Sequence, residues 1–299
     1  MLGVAQQSYG GVSGRAHGRS LQGARVVVQA APSTSGAFPN FVNHGGPVVS
    51  TPVVRATFWG ASWSTAAAQT TMQRLFQYCT DILNSPFMNV IAQYGVGSAR
   101  FAGSTIMGNV SGSLTNAQID SQIQSGIDAG TLTEPPKNNT SDCLVIFLDE
   151  SVEVNDSAQG LVMCEPSGDT AFGYHDFFTT KAGNDLYYAV IPALDDKCIQ
   201  QTCPGGDSGC SLSIGATQEQ RRTQVTSHEL AEMFTDPQLN AWYDPQNGEN
   251  GDICNGETGT ITVAGNTWSV QRIYSKHDDE QSDGGTYCVS EAPNPIPAP

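Results

Sequence analysis

The chain has 299 residues, 38% of them apolar, and a formal charge of −16, which suits one large domain or two small ones with a full hydrophobic core. No Asp or Glu precedes Asp81, whereas twelve acids lie between His228 and Glu291 against only Arg272 and Lys276. Phosphate binding needs clustered Lys and Arg, so nucleic acid is excluded as a partner, and a chain without a run of about 18 apolar residues is not expected to cross or bind a membrane through a helix.

Residues 1–43 are rich in Gly, Ser, Ala and Gln and read as a flexible arm or pro-segment. They lack the apolar core of a signal peptide, so the numbering is expected to start after a removed leader. Residues 44–236 form the main α/β region. Val53–Trp59 reads as a buried strand. Ala66–Leu83 reads as a helix, because Met72, Leu75, Phe76, Cys79 and Ile82 recur at helical spacing ahead of Pro86. A second helix is predicted at Asn116–Ala129, where Thr115 and Gln118 make a capping-box pattern and Ile119, Ile123 and Ile127 form one stripe. Cys143–Leu148 and Tyr187–Ile191 are strands. Gln218–Thr235 is a long helix stopped by Pro237. Residues 237–291 read as a small C-terminal subdomain with strands at Ile261–Val263 and Trp268–Tyr274. Ala292–Pro299, with four prolines, reads as a tail. Mixed strands and helices of this kind predict an α+β fold.

Eight cysteines and no CxxC pair point to disulfides in an oxidising compartment rather than to a thiolate metal site. Connectivity is not fixed by the sequence; local pairing within Cys198, Cys203 and Cys210, and of Cys254 with Cys288, is the working expectation. Sequons at Asn109, Asn138, Asn139 and Asn155 suit a secreted glycoprotein.

The chemistry concentrates in Thr226–Pro237, TSHELAEMFTDP. Helical residues four apart differ by roughly 40° in direction and about 6 Å along the axis. His228 and Glu232 therefore reach one ion from the same face, and Glu229 points beside that ion. This is the layout of the His-Glu-x-x-His zinc peptidases, with Glu229 as general base and a carboxylate in place of the second imidazole. It predicts a zincin-like mixed sheet with an active-site helix. Zinc accepts such a donor set, and calcium is admitted by its oxygens. Glu249 or Asp252, in the following GENGD loop, is the expected third ligand. Asp236 is a further candidate, with a competing role at the helix end. The bland alternative is a metal-free network of His228 with these acids.

The helix segment, followed by AWYD, GENGDIC and VQRIYS, resembles the secreted Exordium or phosphate-induced protein family. GGPVVSTPVVRATFWGASW, GYHDFF and YAVIPALDDKC agree with it, so the likeness runs from about Gly45 to Cys288. The resemblance implies secretion and a zincin-like helix, with His228, Glu229, Glu232, Asp236, Glu249, Asp252 and Cys254 at the matching positions. Glu232 in place of His departs from the zinc peptidases.

Elsewhere, His175 and Tyr174 in GYHDFF are candidates for binding substrate or stabilising an intermediate, against a structural role. His277 is a weaker ligand candidate. The Asp- and Asn-rich loops Asp244–Asp252 and Asp278–Asp283 could wrap a structural calcium. Gly-Asp-Ser-Gly in Pro204–Cys210 echoes a serine-peptidase loop without its histidine setting, and reads as a disulfide-pinned surface loop. Phe58, Trp59, Trp63, Trp242 and Tyr243 line a cleft or pack in the core. Taken together, the residues predict a secreted metal-dependent peptidase acting on polypeptide. The alternative is a non-catalytic extracellular or cell-wall protein whose structural ion supports carbohydrate or peptide binding.

Overall fold

A computed structural model describes residues 38, 40–165, 170–203, 215–281 and 286–299. Pro204–Cys210, Asp283 and most of the N-terminal arm lie outside the described residues. The fold is α+β. Its centre is a five-stranded sheet made of β1 (Val53–Trp59), β2 (Arg100–Met107), β3 (Asp142–Leu148), β4 (Tyr174–Thr179) and β5 (Asp185–Ile191), in the order β2-β1-β3-β5-β4. The first four strands in that order run parallel. β4 closes the edge antiparallel to β5, with His175 opposite Ala189.

The central strands are apolar on both faces, as a sheet covered on both sides requires. Along β3, Cys143, Val145 and Phe147 face one core, and Leu144, Ile146 and Leu148 face the other. The first core lies under α1 (Ala66–Leu83) and α3 (Gln218–Thr235). The second lies under α2 (Asn116–Asp128) and a small sheet that includes Val152–Asp156 and Leu161–Met163. Thr115 and Gln118 cap α2 reciprocally, as their spacing predicts.

The strands β2 and β4 are not apparent in the sequence. Gly103 and alternating exposed residues interrupt β2, and β4 reads Tyr-His-Asp-Phe-Phe-Thr, with two polar residues buried at its start. Burial of that polar pair follows from what packs on it, which no local pattern records. The predicted strand Trp268–Tyr274 is divided: β7 (Asn266–Gln271) pairs with β6 (Thr258–Val263), and Ile273–Tyr274 pairs with Cys288–Val289. The β6–β7 hairpin packs on α3, and Ile261, Trp268 and Val270 join the same core as Val54 and Phe58. The region after the helix thus shares the central core. Trp268 Nε1 donates to Asp81 Oδ2 at 2.8 Å, tying the hairpin to α1.

The first and last described segments are drawn in. Phe41 is fully buried, and Val42–Asn43 pairs with Trp242–Tyr243. In the proline-rich tail, the backbone amides of Ala292 and Ile296 donate to the Pro86 and Asn89 carbonyls at 3.1 and 2.9 Å. Disulfides join Cys164 to Cys198 and Cys254 to Cys288. The second is the expected pair; Cys198 bonds outside the group Cys198, Cys203 and Cys210. Cys203 is also disulfide-bonded, while Cys79 and Cys143 are buried thiols. Asn139 is unsuited to glycosylation in the fold, because its side-chain amide is buried and donates to the Asp142 and Asp185 carbonyls. No helix among the described residues is long and apolar enough to cross a membrane.

Candidate metal centre

Thr217 and Gln220 cap the start of α3 with a complete capping box. From Arg221 to Thr235 the helix is buried on every side although much of it is polar. Its hydroxyls and amides are used internally: Thr223 donates to the Ser269 carbonyl, Gln224 to Ser269 Oγ, and Thr226 to the Arg222 carbonyl. This satisfies groups whose burial would otherwise cost about 1–3 kcal/mol each. Among the described residues, buried atoms of α3 without a hydrogen bond include Arg221 Nε, Arg222 Nε and Gln224 Oε1 in its first half and His228 Nε2 and Glu232 Oε2 in its second, where α3 meets β4, the 248–252 loop and β7.

One half of the cluster is built on the helical turn predicted from sequence. His228 Nε2 lies 3.1 Å from Glu232 Oε1 and 3.9 Å from Asp252 Oδ1. The Asp252 amide donates to the same Glu232 oxygen at 3.0 Å. The loop approaches because residue 251 is glycine: a Cβ there would sit 2.8 Å from both Glu232 Oε1 and His228 Nδ1. On the ring's other side, Gln271 Nε2 lies 2.7 Å from His228 Nδ1 and donates to the Gly251 carbonyl at 2.8 Å.

The other half is built on the edge strand. Side chains alternate along β4, so Tyr174 and His175 face opposite cores. His175 turns toward α3, where Nδ1 lies 3.5 Å from both Glu229 Oε2 and Glu232 Oε2. Its Nε2 lies 3.5 Å from Glu249 Oε1. Among the described residues, neither ring nitrogen of His175 has a hydrogen-bond partner, nor do Glu232 Oε2 or the two Glu249 oxygens. His175, His228, Glu229, Glu232 and Glu249 are all fully buried, and the side chain of Asp252 is 20% exposed.

Two triplets therefore have donor atoms close enough to share a cation: His175 with Glu229 and Glu232, and His228 with Glu232 and Asp252. Metal–ligand distances of about 2.0–2.2 Å place two tetrahedral ligands about 3.4 Å apart; the imidazole–carboxylate spacings are 3.1 to 3.9 Å, and all donors of each triplet lie within 4.8 Å of one another. The donor set of imidazoles and carboxylates suits zinc or a harder divalent ion.

The electrostatics reflect the crowding of acids. Burial works against charge on His175, but Glu249, Glu229 and Glu232 outweigh it and hold the imidazole well above its ordinary value. Burial likewise opposes charge on His228, yet Glu232, Glu229 and Asp252 push it up to about 10. Against its own burial, Glu232 is drawn down to about 2 by the two imidazoles. Burial holds Glu229 and Glu249 up.

The remaining candidates separate as follows. Asp252, not Glu249, converges with His228 and Glu232; Glu249 turns to the other imidazole. Asp236 joins neither triplet, because its Oδ1 accepts the Asn240 and Ala241 amides at 2.6 Å and closes the turn after the helix. Tyr174 is removed from the centre by strand alternation, and its hydroxyl donates to Asn116 Oδ1 beneath the sheet. His277 sits on the helix Lys276–Gln281 and joins neither triplet. The Asp244 loop is closed by its own turn, with Oδ1 accepting from Gln246 and Asn247. Phe58, Trp59 and Trp63 are core residues, and Trp242 stacks on Phe41. Gln271 escapes sequence reading; its only signal is an amide inside a strand next to inward-facing Val270.

Neither the scan against family models nor the search of curated proteins returns a match for this chain.

Proposed function

We propose that this chain is an extracellular metal-dependent hydrolase acting on peptide bonds, with its ion held by His228, Glu232 and Asp252. The observation that carries this reading is the convergence of an imidazole and a carboxylate one helical turn apart with the Asp252 carboxylate on His228 Nε2. An ion there supplies Lewis acidity toward a carbonyl oxygen and toward water. Asp252 is the one partly exposed donor, which marks the side from which a substrate approaches. Glu229 adjoins His228 on the same turn, and burial raises its carboxyl above the ordinary carboxylate value, the direction that suits a general base. The disulfides and the likeness to the secreted Exordium-type proteins support an oxidising, extracellular setting.

The test is proteolysis of a broad peptide library by the purified full chain, before chelation, after it, and after zinc is restored. Chelator-sensitive cleavage regained with zinc supports the reading. A chain that binds no zinc overturns it.

A second reading has its own observation. Five of the six clustered side chains are fully buried, as in closed structural ion sites. In that case chelation lowers the melting temperature while no peptide is cleaved at any metal loading.

A further inference from the structure

Glu232 presents its two oxygens to different imidazoles. Oε1 faces His228 Nε2 at 3.1 Å, and Oε2 faces His175 Nδ1 at 3.5 Å. We propose that the centre holds two divalent cations bridged by the Glu232 carboxylate. The first is the His228–Glu232–Asp252 ion, so the proposal rests on that reading. The second lies between His175 Nδ1, Glu229 and Glu232 Oε2.

Three observations carry it. First, a fully buried imidazole with two unpartnered nitrogens costs free energy unless something in the interior engages it. A cation at Nδ1 engages one nitrogen and leaves Nε2–H to donate to Glu249, the carboxylate–histidine–metal relay that fixes ring orientation around many ions. Second, the two halves repeat one design. His228 Nδ1 meets the Gln271 amide just as His175 Nε2 meets Glu249, so each ring has one nitrogen toward Glu232 and one toward an orienting side chain. Third, the charges balance. Glu229, Glu232, Glu249 and Asp252 bring four carboxyl groups to one largely buried volume. Ionised, as metal binding requires, they carry four negative charges, which two divalent cations neutralise. A carboxylate bridge of this kind sets two ions about 3.5–4 Å apart, as in two-metal hydrolases.

The experiment is zinc stoichiometry on the chelated and reloaded full chain, by elemental analysis after dialysis. Two zinc ions per chain are expected, falling to one in His175→Ala and to one in His228→Ala. One ion per chain that survives His175→Ala overturns the second site and leaves the first standing. No bound zinc overturns both. Manganese loading of the unmodified chain gives a reading independent of whether the variants fold. A spin-coupled, broadened resonance at two equivalents supports the bridge, and the six-line spectrum of isolated ions overturns it.

Discussion

The Gln271 side-chain amide lies 2.7 Å from His228 Nδ1 and thereby sets which nitrogen of that imidazole carries the proton. With the amide nitrogen donating to Nδ1 and to the Gly251 carbonyl, the arrangement fits a ring protonated on Nε2, facing Glu232, whereas the charged ring, with His228 raised to about 10, carries a proton on both nitrogens and needs the Gln271 carbonyl oxygen at Nδ1. A metal-bound ring has the opposite tautomer, with Nδ1–H donating to the Gln271 carbonyl oxygen. The expected outcome is loss of the Nε2 proton of His228 on zinc addition, read from nitrogen-15 chemical shifts of the imidazole. A ring whose shifts stay fixed while zinc binds would remove His228 from the ligand set.

Metal-free protein should be most stable near pH 4.5 and lose stability as pH rises from there, because Asp236, raised from 3.8 to about 6, and Glu229 and Glu249, raised from 4.5, hold protons that the unfolded chain gives up. His228 is raised from 6.5 to about 10, and His175 is raised too, so their contribution is complete below 6.5 and lost as pH rises through the folded values. Ionising Glu229 and Glu249, both held up by burial, subtracts stability in the same alkaline direction. Glu232 is lowered from 4.5 to about 2, so its contribution is present above 4.5 and lost as pH falls toward 2. Melting temperatures across this range check the shape. Zinc should abolish the alkaline decline, because the ion replaces the protons.

Glu229→Gln should retain the ion at His228 and lower peptide turnover by at least about 100-fold, the usual contribution of a general base; zinc analysis of the same variant shows whether turnover falls with the ion at His175 kept or lost. Parallel zinc analysis and peptide cleavage measure the two effects. Undiminished cleavage in this variant would exclude Glu229 as the base.

Gly251→Ala places a methyl group where Glu232 Oε1 and His228 Nδ1 lie 2.8 Å away. The loop must retreat and carry Asp252 with it. Zinc affinity should fall by about 10–100-fold, the range seen when the support of a metal ligand is disturbed. Calorimetric titration checks this. Affinity equal to the parent's would show that the close approach of the loop is dispensable.

Cys254→Ser with Cys288→Ser opens the bond that anchors the turn beginning at Asp252. Stability should fall by about 2–5 kcal/mol. Chemical denaturation should show that loss, with a larger one in the zinc-loaded than in the chelated protein, because the bond also holds a ligand loop.

The sequence by itself determined the local elements and the first half of the centre. Val53–Trp59, Ala66–Leu83 and Gln218–Thr235 carry their own periodicity, caps and stops, and the structure has them with those bounds. His228 and Glu232 are paired by helical geometry alone, since residues one turn apart must share a face. Tertiary structure decided what meets that face. His175 reaches the centre only because β4 is an antiparallel edge strand whose alternation turns it toward α3, and the same alternation sends Tyr174 away. Glu249 and Asp252 are three residues apart yet face different imidazoles, because a glycine lets the loop fold against the helix. Convergence of side chains from a strand, a helix, a loop and a hairpin is a property of packing, and spacing along one chain does not encode it.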